Sequence, residues 1–347
     1  MIVLATCQAG LESVVADELR PVLGTSHVAL PGLLRFPEPA RLAHVVSAHT
    51  ARTADDLYVS LWHGVGSAAL HAWLARPALD LPGTVLAAHR ALLASAGRRP
   101  SGRFKVTCFL TAEAGVRRHA LEARLGRMVL ATYPTWRLDD EHPDAEIVLW
   151  AGPEQAIAAW RLTEPAFRHR GYTRYRAALS PTVAAALVRL SAPNPEDRFL
   201  DPCCGGGTIL LERAVAGPFV ELLGGDIDPA AVATARINFG RRHRPWRLQA
   251  WDARQLPLAA ASVDALVTNL PFGVQVPAEG GVSRLTAQVL AETARVLAPA
   301  GRAVILDASA GTTLPAGLRL VRTLPVALVG RHVRVRVLER TLPAGAG

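Results

Sequence analysis

The tetrapeptide Asn269-Leu270-Pro271-Phe272 sets an amide, a stiffened backbone carbonyl and an aromatic ring side by side. A planar exocyclic amine on a nucleobase is a poor nucleophile, because its lone pair is delocalised into the ring. The Asn269 carbonyl and the Leu270 backbone carbonyl can accept both amine hydrogens and aim the nitrogen at an electrophile such as a methyl sulfonium. The gain comes mainly from alignment of the in-line displacement. Pro271 stiffens the backbone that carries the second acceptor. Phe272 offers a ring on which the base can stack.

A second group of residues suits a cofactor. The run Asp201-Pro202-Cys203-Cys204-Gly205-Gly206-Gly207-Thr208 puts a carboxylate, a glycine-rich turn and a helix start after a strand. Glycines let the backbone approach a ligand at the strand's carboxyl end, where open α/β sheets bind cofactors. There is no Gly-Lys-Ser/Thr for a nucleoside triphosphate, and the spacing is not Gly-x-Gly-x-x-Gly. Asp201 would also repel a pyrophosphate, whereas it can accept a bond from the ammonium of an amino-acid-like cofactor. Asp226 ends the next strand, 25 residues on, where a ribose-binding acid belongs, and Ile227 can pack on an adenine face. Asp252, followed by Ala253, ends a third strand within reach of an adenine amine. Singly each acid reads as a cap or turn former. Three acids at three successive strand ends read as a site.

These side chains require parallel strands with helices between them. After Pro181 the pattern supplies that alternation: helices over Thr182 to Ala192, Thr208 to Ala216, Pro229 to Gly240 and Ser283 to Leu297. Strands alternate with them at Arg198 to Asp201, Val220 to Asp226, Arg247 to Trp251, Val263 to Asn269 and Arg302 to Ala308. The runs Leu318 to Leu328 and His332 to Leu338, joined at Gly330, predict a terminal antiparallel hairpin. The first half reads as two α+β patterns. Ile2 to Thr6, Val28 to Phe36 and Leu57 to Leu61 are expected as strands, with helices at Leu11 to Leu19 and Pro39 to His49. A helix at Thr84 to Ala96, a strand at Phe104 to Leu110, a helix at His119 to Thr132 and strands at Glu146 to Trp150 and Ala158 to Leu162 form the second. The expected domains are 1–65, 66–167, a basic linker 168–180, and 181–347.

Composition narrows the class. The chain has 347 residues and a formal charge of +9, and Lys105 is its only lysine, so nearly all positive charge is guanidinium. Guanidinium suits phosphate, which it grips with two parallel donors; a GC-rich genome would produce the same bias. Residues 1–170 hold 18 basic and 16 acidic residues, and the remainder 20 and 13, so most of the excess lies in the second half. The linker arginines Arg168, Arg170, Arg174 and Arg176, interleaved with Tyr172 and Tyr175, are the expected RNA-phosphate contacts. Arg334 and Arg336 alternate on the hairpin, so both are expected on one solvated face. No apolar stretch reaches the roughly 18 to 20 residues of a membrane span. The four cysteines show no Cys-x-x-Cys spacing, and no histidine has a metal-ligand partner, so no disulfide framework and no metal are expected. A cytoplasmic protein follows, with a monomer as the default assembly.

The second half resembles class I methyltransferases, specifically the RNA guanine-N2 branch that carries a THUMP domain. Asp201 to Thr208 is similar to that branch's Asp-Pro-x-Cys-Gly-Ser-Gly-Thr motif, with Gly206 in place of the serine. Leu179-Ser180-Pro181-Thr182 resembles the segment in which a threonine, here Thr182, helps hold the methionine moiety. Asn269-Leu270-Pro271-Phe272-Gly273 resembles the Asn/Asp-Leu-Pro-Phe-Gly form of the THUMP branch. DNA adenine and protein glutamine methyltransferases more often show Asn-Pro-Pro-Tyr/Phe/Trp. In the first half, Thr6 to Glu12 resembles the start of the ferredoxin-like domain that precedes THUMP, and Phe104 to Leu110 with Arg117-Arg118-His119 resembles the THUMP core.

The resemblance implies a Rossmann-like class I methyltransferase domain, a parallel sheet with an antiparallel terminal hairpin, preceded by an α+β ferredoxin-like/THUMP region. It implies S-adenosylmethionine as cofactor, held by Thr182, Asp201, Pro202, Cys203, Gly205, Gly207, Thr208, Asp226, Ile227, Asp252, Ala253 and Asn269. It implies tRNA as substrate, with THUMP gripping the acceptor end. Methyl transfer to ribosomal RNA guanine, DNA adenine or a protein glutamine remains open, as does a non-catalytic RNA-binding role. A nicotinamide-dependent oxidoreductase is disfavoured by the glycine spacing.

Overall fold

The computed structural model describes residues 2–37, 51–95, 97–111, 117–163, 170–176, 178–240, 242–271, 281–309, 313–328 and 330–341. The chain divides into two compact units, one of Met1–Thr6 with Ala16–Phe167, the other of Cys7–Val15 with Arg168–Gly347. No helix among the described residues is long and apolar enough to cross a membrane.

The first unit is built on one eight-stranded sheet in the order β2 (His27–Leu30), β3 (Leu33–Phe36), β1 (Val3–Thr6), β4 (Asp56–Val65), β8 (Gln155–Arg161), β7 (Ala145–Ala151), β5 (Arg103–Leu110) and β6 (Arg137–Leu138). The stretch Val28 to Phe36, expected as one strand, is instead the hairpin β2–β3. Pro31 cannot donate to a ladder, and Gly32 turns the chain with a φ of 75°. Among the described residues, the first four helices along the chain are α1 (Glu12–Leu23), α2 (Gly66–Leu74), α3 (Gly83–Ser95) and α4 (Arg118–Thr132). Helix α2 went unread in the sequence: it buries only Leu70 and Trp73, too few positions for periodicity to show. The helix expected over Pro39 to His49 lies outside the described residues. Buried charge is paired here, with the Arg161 guanidinium on Asp56 and on Glu146 at 2.7 Å.

The second unit holds a seven-stranded sheet in the order β11 (Trp246–Ala250), β10 (Glu221–Asp226), β9 (Arg198–Asp201), β12 (Val263–Asn269), β13 (Leu297–Asp307), β15 (Arg331–Arg340) and β14 (Leu318–Leu328). Strands β11 to β13 are parallel, and β15 and β14 add antiparallel at one edge, as expected. The parallel strands read as apolar runs, such as Phe199-Leu200, Ala265-Leu266-Val267 and Ala303 to Leu306, because both faces are covered. One face packs on helices α5 (Pro181–Leu190), α6 (Thr208–Ala216) and α7 (Pro229–Phe239) through Val183, Ile209, Leu210, Val232 and Phe239. The other packs on α8 (Val282–Val296) through Val289, Leu290 and Ala294.

Local signals fix the helices that carry the site. Asp228 caps α7 by accepting from the Ala230 N–H at 2.9 Å, Pro229 fills the first helical position, and Gly240 follows the last. Helix α6 is anchored from inside the unit. The Arg213 guanidinium is wholly buried and donates to the carbonyls of Asn194 (2.6 Å), Gly217 (3.2 Å) and Pro218 (3.0 Å) and to Asp197 (3.0 Å). It also lies over the rings of Phe199 and Phe219.

Arg336 departs from expectation. It is buried against Asp307 at 2.7 Å, whereas Arg334 is exposed. The Asp307 carboxylate, itself fully buried at the end of β13, draws the guanidinium inward. Arg213→Ala would strand the Asp197 carboxylate and three carbonyls, so unfolding free energy should fall by about 3 to 5 kcal/mol. Arg213→Lys should recover little, since one ammonium lacks the fork that spans those acceptors. A thermal unfolding curve that Arg213→Ala leaves unmoved would sink this assignment.

Candidate active site

Sheet order decides where a ligand can lie. From β9 the chain winds outward through β10 and β11, then returns to the other side of β9 to form β12. Strand order therefore reverses between β9 and β12, and in open α/β sheets the crevice outside the carboxyl ends at such a point takes the ligand. Asp201 ends β9 and Asn269 ends β12.

The pleat then sets direction, since side chains alternate between faces. Phe199, Leu222 and Val267 lie in the core on the α5–α7 side, while Leu200, Leu223 and Leu266 lie in the core on the α8 side. Counting in twos, Asp201, Asp226 and Asn269 all point to the α5–α7 side at one edge. Asp252 joins them: Cys203 feels the negative charges of Asp201, Asp226 and Asp252, which add to burial in pushing its thiol pKa up. The structure thus gathers the residues expected at the rim.

Backbone bonds shape the loop. Gly205 N–H donates to Asp226 Oδ2 at 2.9 Å, Cys204 N–H to the Gly225 carbonyl at 2.8 Å, and Cys203 N–H to Asp201 Oδ1 at 3.2 Å. The Pro202 carbonyl accepts from the Trp251 indole at 2.9 Å. Gly205 and Gly207 have φ of 51° and 84°, which other residues rarely adopt, and Gly207 leads directly into Thr208 and α6. The space in front of Gly205 is open, whereas Gly207 backs onto Ala235 and Phe239. Ile227 is 65% exposed beside this opening, an apolar side chain available to a flat ligand face.

Two oxygens show what the site lacks. Asp201 Oδ2 and Asn269 Oδ1 are buried without a well-aligned hydrogen bond among the described residues, although the Thr268 hydroxyl lies near enough to Asp201 to offset part of its rise in pKa. A buried acceptor left unmatched costs about 1 to 3 kcal/mol, so Asn269 Oδ1 above all is open to a donor from a ligand. An ammonium suits the first and an amine the second, which fits the amino-acid end of S-adenosylmethionine and an exocyclic amine.

Other expected residues fall differently. Thr182 is buried near the start of α5, with its hydroxyl 2.8 Å from Ser180 Oγ. Ala253 packs its side chain in the α8-side core. The Asp252 carboxylate is gripped by Arg254, with contacts of 3.0 and 2.7 Å that hold its pKa below the ordinary carboxylate value, so any adenine contact shares it with that guanidinium. Leu270 is buried, and its N–H donates to the Leu306 carbonyl at 3.0 Å. Phe272 and Arg168 lie outside the described residues. Arg170 is turned inward onto the buried Glu212 at 3.3 Å, so it secures the segment to α6, while Arg174 and Arg176 are exposed. Glu212 gave no signal in the sequence beyond its place, beside Arg213, on a largely apolar helix.

Burial pushes the Asp201 carboxyl up to about 7, and the Asp226 charge adds to the rise. The folded state therefore holds a proton that the unfolded chain releases near pH 4, and the carboxyl costs stability as pH rises through 7. Asp201→Asn should accordingly raise the melting temperature of the ligand-free protein more at pH 8 than at pH 5. Melting curves whose difference does not grow over that interval would contradict the assignment.

Comparison with known proteins agrees with this geometry. The family model of the RMKL-like methyltransferase domain matches residues 168–316. The tRNA (guanine(6)-N2)-methyltransferase of Thermus thermophilus is 30% identical over 345 residues, 95% of this chain and 94% of the relative. The tRNA (guanine(6)-N(2))-methyltransferase THUMP3 of Mus musculus is 32% identical over 263 residues, 70% of this chain but 52% of the relative, so the chain spans about half the length of that protein. The crystal structure of TrmN from Thermus thermophilus matches with a TM-score of 0.79 at 27% identity, covering 98% of this chain and 99% of that one. The chain belongs to the THUMP-type RNA guanine-N2 methyltransferase family and has the Rossmann-like class I fold.

Proposed function

We propose that this protein methylates the exocyclic N2 amine of a guanosine in tRNA, at the position numbered 6 in the name of the relative that matches it nearly end to end. The observation that carries the reading is the buried Asn269 Oδ1 without a donor at the carboxyl end of β12. Asn269 Oδ1 accepts one amine hydrogen and the Leu270 carbonyl the other, which directs the nitrogen lone pair outward. Phe272 stacks the base. S-adenosylmethionine, when bound, supplies the electrophilic methyl group. Asp201 takes its ammonium, Asp226 its ribose, and Ile227 covers one adenine face. A guanine paired in a stem must leave the stack to reach Asn269, at a cost of a few kcal/mol.

Residues 1–65 act as the ferredoxin-like domain, 66–167 as the THUMP domain that holds RNA, 168–180 as the basic linker and 181–347 as the catalytic domain, in a cytoplasmic enzyme. Arg174 and Arg176, exposed beside the cofactor loop, contact phosphate; the inward pairing of Arg170 leaves it a structural part.

Asn269→Ala should reduce transfer of labelled methyl into tRNA by at least about a hundredfold, the scale of losing one aligned polar contact to the reacting group. Binding of S-adenosylhomocysteine should stay close to wild type. Loss of both together would assign Asn269 to the cofactor and not to the amine. Nucleoside mass spectrometry of the product should show N2-methylguanosine; methylated adenine or a methylated protein would overturn the proposal. Arg174→Gln should weaken tRNA binding and lower the slope of log affinity against log salt by about 1. An unchanged slope would remove that residue from the phosphate contacts.

A further inference from the structure

The segment Tyr172 to Arg176 lies against the same loops that form the cofactor site. Thr173 is clamped by Asn238 of α7: its N–H donates to Asn238 Oδ1 at 2.8 Å, and Asn238 Nδ2 donates back to its carbonyl at 2.9 Å. The same Nδ2 also donates to the Gly206 carbonyl at 2.9 Å, inside the glycine-rich turn. A Cβ at Gly206 would stand 3.3 Å from Tyr175 Cβ and 3.5 Å from the Thr173 carbonyl. A serine there, as in the related motif, would crowd Tyr175 by a few tenths of an ångström.

Tyr175 then reaches one residue further. Its hydroxyl donates to Asp228 Oδ2, while Asp228 Oδ1 caps α7. Asp228 N–H donates to Asp226 Oδ1 at 3.1 Å, and Asp226 Oδ2 takes the Gly205 N–H. One chain of bonds thus runs from the Tyr175 hydroxyl through Asp228 to Asp226 and the glycine turn. The Tyr175 bond is the first cause holding the Asp228 carboxyl below its ordinary value, so the acceptor is an anion at neutral pH.

We propose that Tyr175 is a positioning residue of the cofactor site, which fixes the Asp226-Ile227-Asp228 turn so that Asp226 and Ile227 face the nucleoside half of the cofactor. It touches no reacting atom. Its effect is on cofactor affinity, because an unfixed turn must be ordered when the ligand binds. The inference rests on the assignment of Asp226 to the ribose.

Titration calorimetry of the full chain with S-adenosylhomocysteine tests it. Tyr175→Phe should weaken binding by about fivefold to tenfold, the net worth of one ordinary hydrogen bond, with the melting temperature of the free protein little changed. In steady-state assays KM for S-adenosylmethionine should rise while kcat at saturation stays near wild type, a split that general destabilisation would not give. Because Asp228→Ala removes the acceptor at the other end of the bond, Tyr175→Phe should add little in that background. Equal affinity for wild type and Tyr175→Phe, or independent effects of the two substitutions, would overturn the proposal. Loss of binding by Asp226→Asn without any loss by Tyr175→Phe would also overturn it while leaving the cofactor assignment standing.

Discussion

Two buried oxygens, one on Asp201 and one on Asn269, are held at the carboxyl ends of β9 and β12 without a well-aligned donor among the described residues. In a core whose other charged groups are paired, such sites are expensive, and the fold must hold them in place by other means. It does so with rigid surroundings. Phe199 and Leu200 fix β9 from both faces, and Val267 and Leu266 fix β12, so the two strand ends that carry these side chains are held beside one another. The unmatched acceptors are therefore stable features of the free protein, and a ligand that brings donors meets a site already aimed.

That frame is maintained from behind. Glycines 205 to 207 give a turn with no side chains of its own, which alone would be loose. Bonds to its neighbours on every side remove that freedom: the Gly205 N–H is taken by Asp226, the Gly206 carbonyl by Asn238, and Gly207 packs on α7. Helix α6 cannot drift away from the turn because Arg213 ties its middle to residues 194, 197, 217 and 218. Its neighbour Glu212 holds Arg170 and accepts from the Tyr172 hydroxyl at 3.2 Å. The two consecutive charged residues act in different directions, one binding the helix to its own unit's base and the other fastening the basic segment over it.

The parallel half was legible because each of its elements carries a local signal. Apolar runs mark the two-sided strands, Asp228-Pro229 marks the start of α7, and acids end the strands. Tertiary pairing was not legible. Nothing in the spacing of Arg170, Asp252 or Arg336 distinguishes an arginine that meets phosphate, or an acid that meets a ligand, from one neutralised inside the protein by Glu212, Arg254 or Asp307. Those outcomes depend on partners 42, 2 and 29 residues away that periodicity does not connect. In the first half, the strand β6 has two residues and the helix Gly66–Leu74 buries two side chains, so neither rises above the composition of the Ala-rich chain.

Buried arginines also bear on how much positive charge is available to a polyanion. Arg161, Arg170, Arg213 and Arg336 do not serve the surface, and a count of basic residues overstates what is available to phosphate. Yet each is matched by acid that is buried with it: Asp56 and Glu146, Glu212, Asp197, and Asp307. These four arginines are paired with five acids, so interior pairing removes no net positive charge and the formal excess of +9 is not diminished by it. A field of that sign attracts a polyanion from beyond contact distance and weakens with added salt. It does not select a base. Under the proposed function selection falls to Asn269, where an exocyclic amine would complete a buried acceptor and a base without one would not.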